Sequence, residues 1–186
     1  MKNFIRVTTT VAILAVSAAG SAQAYDGKIT FTGSVTAATC TIDGNGQGSP
    51  DFTLNLGSVQ TTALTTNNKR GASHGFYIDV GGNEDCTETA GRVRFEAMSP
   101  QIDAETGYLK NTTGSGRATN VSVVLMDKDK TDILLNKPEG GLSPVEDLSD
   151  SSATRFNFYA AMVGPASGTV TAGTVDTHVL YSMSYN

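Results

Sequence analysis

Apolar and polar residues alternate in short runs along most of this chain of 186 residues. Three such runs cover residues 52–56, 76–80 and 156–162, and glycine, asparagine, aspartate and serine are frequent between the runs. Alternation with period two places successive side chains on opposite faces of a β-strand, and no segment shows a sustained apolar pattern at helical spacing. Many of the 20 glycines stand at the ends of runs, where they permit turns. The pattern predicts an all-β fold, an antiparallel sandwich of short strands.

The first 24 residues have the three parts of a secretory signal peptide. Lys2 and Arg6 supply the positive start, residues 11–19 form a short apolar core, and residues 22–24 match an A-x-A cleavage site. The apolar run is far shorter than the roughly 20 residues that a membrane-spanning helix needs. We therefore expect export through the inner membrane and cleavage before Tyr25. The mature chain of 162 residues suits one domain.

Charge and cysteine content narrow the function further. Loss of Lys2 and Arg6 changes the net charge from −5 to −7, because residues 1–24 contain no acidic residue. A nucleic-acid binder needs a basic face, so no nucleic-acid partner is expected. The two cysteines, Cys40 and Cys86, are predicted to form one disulfide in an exported chain.

No set of residues stands out as catalytic or metal-binding. The sequence contains neither H-E-x-x-H nor C-x-x-C. Residues 127–138 partly match a calcium loop, but Asp132 stands where the glycine is needed and Pro138 where the bidentate glutamate belongs. A charged hairpin turn is the better interpretation of this segment. We expect no enzymatic activity and no cofactor.

Several blocks resemble one family when their order and spacing are taken together. They are residues 27–35 (GKITFTGSV), 38–40 (ATC), 54–59 (LNLGSV), 75–78 (GFYI), 118–121 (ATNV) and 124–127 (VLMD). The most specific match is at the C-terminus, where Tyr185 is penultimate and Gly173 is fourteenth from the end. Over essentially the whole mature chain the sequence resembles the structural pilins of bacterial chaperone–usher fimbriae, particularly the type 1 major subunits. A longer acidic region at residues 139–150 departs from the family pattern.

The resemblance implies an incomplete immunoglobulin-like β-sandwich that lacks its final strand. It divides the chain into a signal peptide (residues 1–24), an N-terminal donor-strand extension (residues 25–35) and a pilin domain (residues 36–186). The missing strand leaves an apolar groove, which a periplasmic chaperone fills first and the extension of another pilin subunit fills afterwards. The implied partners are therefore other pilin subunits, the chaperone and an outer-membrane usher, and the implied destination is a fimbrium on the cell surface.

The resemblance also assigns roles to individual residues. In the extension, Ile29 and Phe31 are expected to enter pockets and Gly27 to pass a constriction. The residues of the extension that share one face are Tyr25, Gly27, Ile29, Phe31 and Gly33. The residues expected to line the groove or to face the chaperone are Phe156, Phe158, Met162, Gly173, Tyr185 and Asn186. For Phe156, Phe158 and Met162, a plain role in the sandwich core is an equal alternative.

Two other functions are consistent with the sequence. A minor or adaptor pilin of the same system would keep the extension but occur only a few times in each fibre. A secreted β-sandwich carbohydrate-binding module, from a different class, would need an exposed aromatic platform. The absence of tryptophan counts mildly against that second alternative.

Overall fold

The computed structural model describes residues 40–65, 69–97 and 99–185. Within these residues the regular elements are nine β-strands and one short 3-10 helix, Thr61–Ala63. The strands are β1 (Ile42–Gly44), β2 (His74–Gly81), β3 (Ala90–Phe95), β4 (Leu109–Lys110), β5 (Ser122–Met126), β6 (Asp132–Ile133), β7 (Glu146–Asp147), β8 (Ala153–Val163) and β9 (Tyr181–Tyr185). None of the described residues belongs to a helix long and apolar enough to cross a membrane. The all-β prediction is confirmed.

The strands are arranged in two antiparallel sheets. The larger sheet has the order β1-β2-β8-β5-β4, and β6 also pairs with β5. The smaller sheet has the order β7-β3-β9. Strand β8 is central in the larger sheet, since β2 pairs with one of its edges and β5 with the other. The two longest strands, β2 and β8, therefore pair with each other in the middle of the larger sheet.

The main core lies between the inward faces of the two sheets. Phe76 of β2 stands opposite Phe158 of β8, and Ile78 stands opposite Phe156. The Phe158 ring stacks on Phe76 at 5.5 Å and meets Phe95 of β3 edge-on at 4.9 Å. Each of these side chains is at most 6% exposed. Burial of a large apolar side chain is worth roughly 1.5–3 kcal/mol, so this aromatic group is a principal source of stability.

The disulfide predicted between Cys40 and Cys86 is present. It joins the residue two positions before β1 to the loop that follows β2, with the Cα atoms 4.2 Å apart. Two hydrogen bonds lie beside it, from the Thr41 amide to the Asn83 side chain (3.0 Å) and from the Gly81 amide to the Thr41 carbonyl (2.9 Å). The bridge therefore fixes the segment that enters β1 to the loop after β2, at the edge of the larger sheet.

The charged turn after β5 also has the predicted form. The Asp127 amide donates to the Thr131 carbonyl at 2.9 Å, and the Asp127 carboxylate accepts from the amides of Asp129 and Thr131. These bonds close a hairpin between β5 and β6. The carboxylate is occupied by the turn itself, which agrees with the interpretation as a hairpin.

One strand predicted by the alternation is absent from the structure and another is shorter than predicted. Residues 52–56 have the predicted half-buried side chains Phe52, Leu54 and Leu56, yet they pair with no described strand. The alternation of Val179, Tyr181, Met183 and Tyr185 predicts a last strand over residues 174–186, but its ladder begins at Tyr181. Alternation reports which side chains face the core, whereas a sheet also needs a neighbouring backbone. These two extended segments, which belong to no described strand, lie on either side of one large groove.

Candidate functional site

A groove with a volume of about 1510 Å³ opens into the core between the two sheets. One side is residues 50–59, called here the first wall, and the other is residues 170–180, called here the second wall. Its floor consists of apolar side chains of both sheets and of the loop before β5: Phe76, Phe95, Leu109, Val121, Val123, Leu125, Ala160 and Met162. The groove is therefore an opening into the sandwich core rather than a surface depression.

The first wall is extended and presents its side chains alternately. Phe52, Leu54 and Leu56 are half-buried and pack against the main core, while Thr53 and Asn55 are exposed. Among the described residues, the backbone of 51–59 makes no backbone hydrogen bond. Buried or half-buried backbone groups need partners, because an unpaired N–H or C=O costs about as much as a lost hydrogen bond. Within the described residues, the first wall thus has an open strand edge, and its backbone has only side-chain partners such as Gln47 at the Thr53 carbonyl and Asn55 at the Gly57 amide.

The second wall repeats this pattern on the other side of the groove. Val175, Thr177 and Val179 are half-buried, whereas Asp176 and His178 between them are exposed. The hydroxyl oxygen of Thr177 is buried and has no hydrogen-bond partner. The inward row therefore offers two apolar side chains and one unsatisfied polar group to an occupant of the groove.

The two walls meet at one end of the groove. The Tyr181 hydroxyl donates a 2.6 Å hydrogen bond to the carbonyl of Pro50, which joins the start of β9 to the first wall. Burial raises the pKa of Tyr181 above its ordinary value, and the nearby carboxylates of Asp51 and Asp43 raise it further. The hydroxyl therefore stays protonated and remains a donor at neutral pH.

A second apolar cluster also lines the groove. Leu64, which follows the 3-10 helix, is 1% exposed and belongs to this cluster. The other members are Ala118, Val121, Met162 and Val170. The groove thus has a second apolar region besides the main core, and the Tyr181–Pro50 hydrogen bond joins its two walls.

This arrangement suits one kind of ligand, an extended peptide strand with apolar side chains on one face. Main-chain groups of such a strand would pair with the open walls, and its alternate side chains would enter the apolar floor. No group of three or more histidine, cysteine, aspartate or glutamate residues suitable for a metal ion occurs in the described part of the chain.

One pentapeptide has the sequence of a catalytic motif but not its geometry. Residues 71–75 (GASHG) match G-x-S-x-G with Ser73 at the centre. The nucleophile elbow of that motif lies between a strand and a helix, whereas this segment leads directly into β2 and the Ser73 side chain is exposed. The local structure therefore does not support a nucleophilic role for Ser73.

The residues singled out in the sequence lie in different parts of the site. Met162 and Gly173 line the groove. Phe156 and Phe158 are buried in the main core, and Phe158 contacts Phe76 and Phe95 of the groove floor from behind. Tyr185 pairs with Gly91 at the end of β9, outside the groove lining.

Burial raises the pKa of Tyr185, and the carboxylate of Glu88 adds to this effect. Asn186 and the five residues of the extension (Tyr25, Gly27, Ile29, Phe31 and Gly33) lie outside the described residues. Their proposed roles stay predictions.

Sequence reasoning placed one residue of the second wall, Gly173, at the groove and none of the first wall. The alternation in residues 52–56 and from Val179 onward predicts ordinary paired strands. The available signal was that both segments flank blocks of the family resemblance, residues 54–59 and the C-terminal pattern at Gly173. Only the structure shows that the two segments face each other without a strand between them in the described part of the chain.

Comparisons with known proteins agree with this geometry. A family model described as "Fimbrial protein" matches residues 29–186. The major fimbrial subunit SMF-1 of Stenotrophomonas maltophilia is 32% identical over 171 residues, covering 89% of this chain and 96% of that protein. The type-1 fimbrial protein A chain of Escherichia coli is 28% identical over 162 residues, covering 86% of this chain and 83% of that protein.

Solved structures show the same fold. A subunit from a chaperone–usher pilus studied for rod uncoiling matches with a TM-score of 0.57 and 20% identity, over 86% of this chain and 95% of that chain. The P pilus rod subunit PapA matches with a TM-score of 0.57 and 16% identity, over 80% of this chain and 100% of that chain. The two-sheet fold with its open groove is therefore the incomplete immunoglobulin-like sandwich of pilus subunits, and the chain belongs to the fimbrial protein family.

Proposed function

We infer that this chain is a structural subunit of a surface fimbria and that its copies polymerise by donor-strand exchange. The observation that carries the proposal is the apolar groove bordered by two extended segments. In the described part of the chain, the backbones of residues 51–59 and of Val175, Thr177 and Val179 make no backbone hydrogen bond, so they are open to an added strand. An open edge beside an apolar groove favours aggregation unless another strand covers it. The natural occupant is a strand supplied by another copy of the same chain or by a related subunit.

The extension at residues 25–35 has the sequence that such an occupant needs. Ile29 and Phe31 alternate with Lys28 and Thr30, so one face of an extended strand is apolar and the other is polar. Two apolar side chains fully buried in the groove would contribute roughly 1.5–3 kcal/mol each. Gly27 on the same face suits a narrow part of the groove, where a side chain would obstruct.

Insertion of one subunit's extension into another's groove is a heterologous contact. Such contacts generate open fibres when the rotation between copies does not close a ring. The open groove also explains why a periplasmic chaperone and an outer-membrane usher are proposed as partners, since the groove must be covered before another subunit reaches it. Export by the signal peptide at residues 1–24 and a non-enzymatic role complete the proposal.

A pair of double variants in the extension tests this function. Ile29→Ser with Phe31→Ser removes both apolar anchors, and we expect a stable chaperone-bound subunit but no fibres by electron microscopy. Lys28→Ser with Thr30→Ser changes the same number of positions on the opposite face and should leave fibre formation intact. Normal fibres from the first variant would exclude the extension as the donor strand.

A further inference from the structure

The second wall is held in place by hydrogen bonds to the loop before β5 rather than by a sheet. Residues 170–180 belong to no strand of the described part of the chain. Residues 111–120 bind them through a series of contacts, called here the seam. Its backbone bonds run from Thr174 N to Gly116 O (2.9 Å), Ala118 N to Thr174 O (3.0 Å), Thr112 N to Asp176 O (3.0 Å) and Thr171 N to Thr119 O (3.3 Å).

Asn111 lies at the centre of this seam and makes three hydrogen bonds with one side chain. Its amide nitrogen donates to the carbonyls of Ala118 (2.8 Å) and Thr174 (2.9 Å). Its amide oxygen accepts from the backbone N–H of Asp176 (2.7 Å). The orientation is determined by the partners, because a flipped amide would place its oxygen against two carbonyls. Asn111 therefore joins the end of its own loop to two positions of the second wall at once.

Other side chains of the seam make fewer or more exposed contacts. Arg117 forms a 3.2 Å ion pair with Asp176, but the Asp176 side chain is 63% exposed, and exposed pairs contribute little. Asn120 donates a single bond to the Thr169 carbonyl at 2.8 Å, and Asn120 itself is exposed. Asn111 is half-buried, and its bonds flank the residues that turn toward the groove.

The hydrogen bonds of Asn111 lie beside the residues of the second wall that an added strand would contact. Thr174 and Asp176 immediately flank Val175, the first residue of the half-buried alternating row, and Thr177 and Val179 follow at the same period. A rotation or one-residue shift of this segment would turn its inward row to solvent. A strand that enters the groove needs the backbone edge and the inward row of the wall in a fixed register.

We propose that Asn111 is a positioning residue for strand addition: its side-chain amide holds the second wall in the register that the incoming strand recognises. The proposal rests on the donor-strand exchange inferred above. Without these bonds, the wall occupies the binding-competent arrangement for only a fraction of the time, and apparent affinity falls by that fraction.

The test compares Asn111→Asp with Asn120→Asp in the full chain, each purified as its complex with the cognate chaperone. Asn111→Asp is nearly isosteric and keeps the acceptor for Asp176, but it places a carboxylate oxygen against two carbonyls. Asn120→Asp makes the same chemical change in the same loop, at a residue with a single exposed bond and a backbone φ of 57° that aspartate tolerates. Amide hydrogen exchange and the release of a labelled peptide of residues 25–35 are measured for both variants and for the wild type.

The carboxylate of Asn111→Asp repels two carbonyls, so we expect the second wall to separate from the seam. The Thr174 and Asp176 amides should then lose protection while the amides of β2 and β8 keep theirs. The labelled peptide should leave this variant at least about tenfold faster than it leaves the wild type, because two hydrogen bonds are replaced by repulsion. Asn120→Asp should remain within about twofold of the wild type, since it removes one exposed bond. If Asn111→Asp is not recovered, Asn111→Ser removes the same donors without adding charge and is measured in its place.

The outcomes separate the two proposals. Wild-type release rates and protected wall amides in Asn111→Asp would overturn the positioning role. Uniform loss of protection across β2 and β8 would also overturn it, since that result indicates a general structural role. If the wild-type subunit itself takes up no peptide, donor-strand exchange fails. The exchange pattern of the wall amides then decides whether Asn111 positions the wall.

Discussion

At the scale of single residues, Gly173 shows how closely the second wall approaches the seam. A Cβ atom at this position would lie 2.5 Å from the carbonyl carbon of Arg117 and 2.8 Å from the carbonyl oxygen of Gly116, and it would also overlap the Ala118 nitrogen. All of these neighbours are backbone atoms, which move less readily than the end of a side chain. The glycine fourteenth from the C-terminus is therefore required by contact between two backbones.

We predict that Gly173→Ala destabilises the subunit by about 1–3 kcal/mol, the usual cost of forcing extra volume into a packed site. The urea midpoint and the yield of the chaperone-bound subunit measure this effect. Gly75→Ala is the matched control, because the nearest atom to its new Cβ would be a Tyr159 ring carbon at an ordinary 3.4 Å. An equal loss in both variants would show that close approach at Gly173 is not the cause.

At the scale of elements, the first wall is held by side-chain burial and by the disulfide beside β1. The first wall follows β1 along the chain and has no backbone ladder among the described residues, so its placement depends on side-chain burial and on the fixed end at β1. The Cys40–Cys86 bridge fixes that end to the loop after β2, across a sequence separation of 46 residues. The bridge therefore stabilises β1, the strand that precedes the first wall.

We predict that the double substitution Cys40→Ser and Cys86→Ser lowers stability by about 4 kcal/mol, the value that the chain-entropy model gives for a loop of this size. The periplasmic yield of the chaperone complex and its urea midpoint should both fall. Wild-type protein treated with reductant provides the control and should approach the midpoint of the double variant. A midpoint unchanged by both treatments would show that the bridge adds no stability.

At the scale of the whole molecule, the proposed assembly makes the subunit directional. In this proposal a copy without residues 25–33 has no strand to donate, so it can occupy only one terminus of a fibre. The polarity of the polymer would thus follow from having one donor and one acceptor in each subunit.

We predict that a tagged subunit lacking residues 25–33, co-expressed with the wild type, labels fibres at one end only. The tag is inserted between the exposed residues Asp150 and Ser151, and gold-labelled antibody locates it by electron microscopy. A full-length subunit with the same tag should label the whole length of the fibre. Gold distributed along fibres that contain the shortened subunit would contradict assembly through the extension.

The amino-acid sequence by itself determined which residues face the core. Alternation predicted the buried rows of β2 and β8, and the two cysteines predicted the bridge, because side-chain direction and covalent pairing can be inferred from local pattern and composition. Family resemblance supplied the expectation of a missing strand and of the extension that replaces it.

Only the tertiary structure decided which extended segments pair and which remain open. Residues 52–56 and 174–180 have the same alternation as true strands, yet β8 and β3 pair with other partners, and the two segments are left to border the groove. The short strand β7 and the three bonds of Asn111 were likewise invisible in sequence. Hydrogen-bond pairing joins residues distant in sequence, so the local pattern fixes a side chain's face but not its backbone's partner.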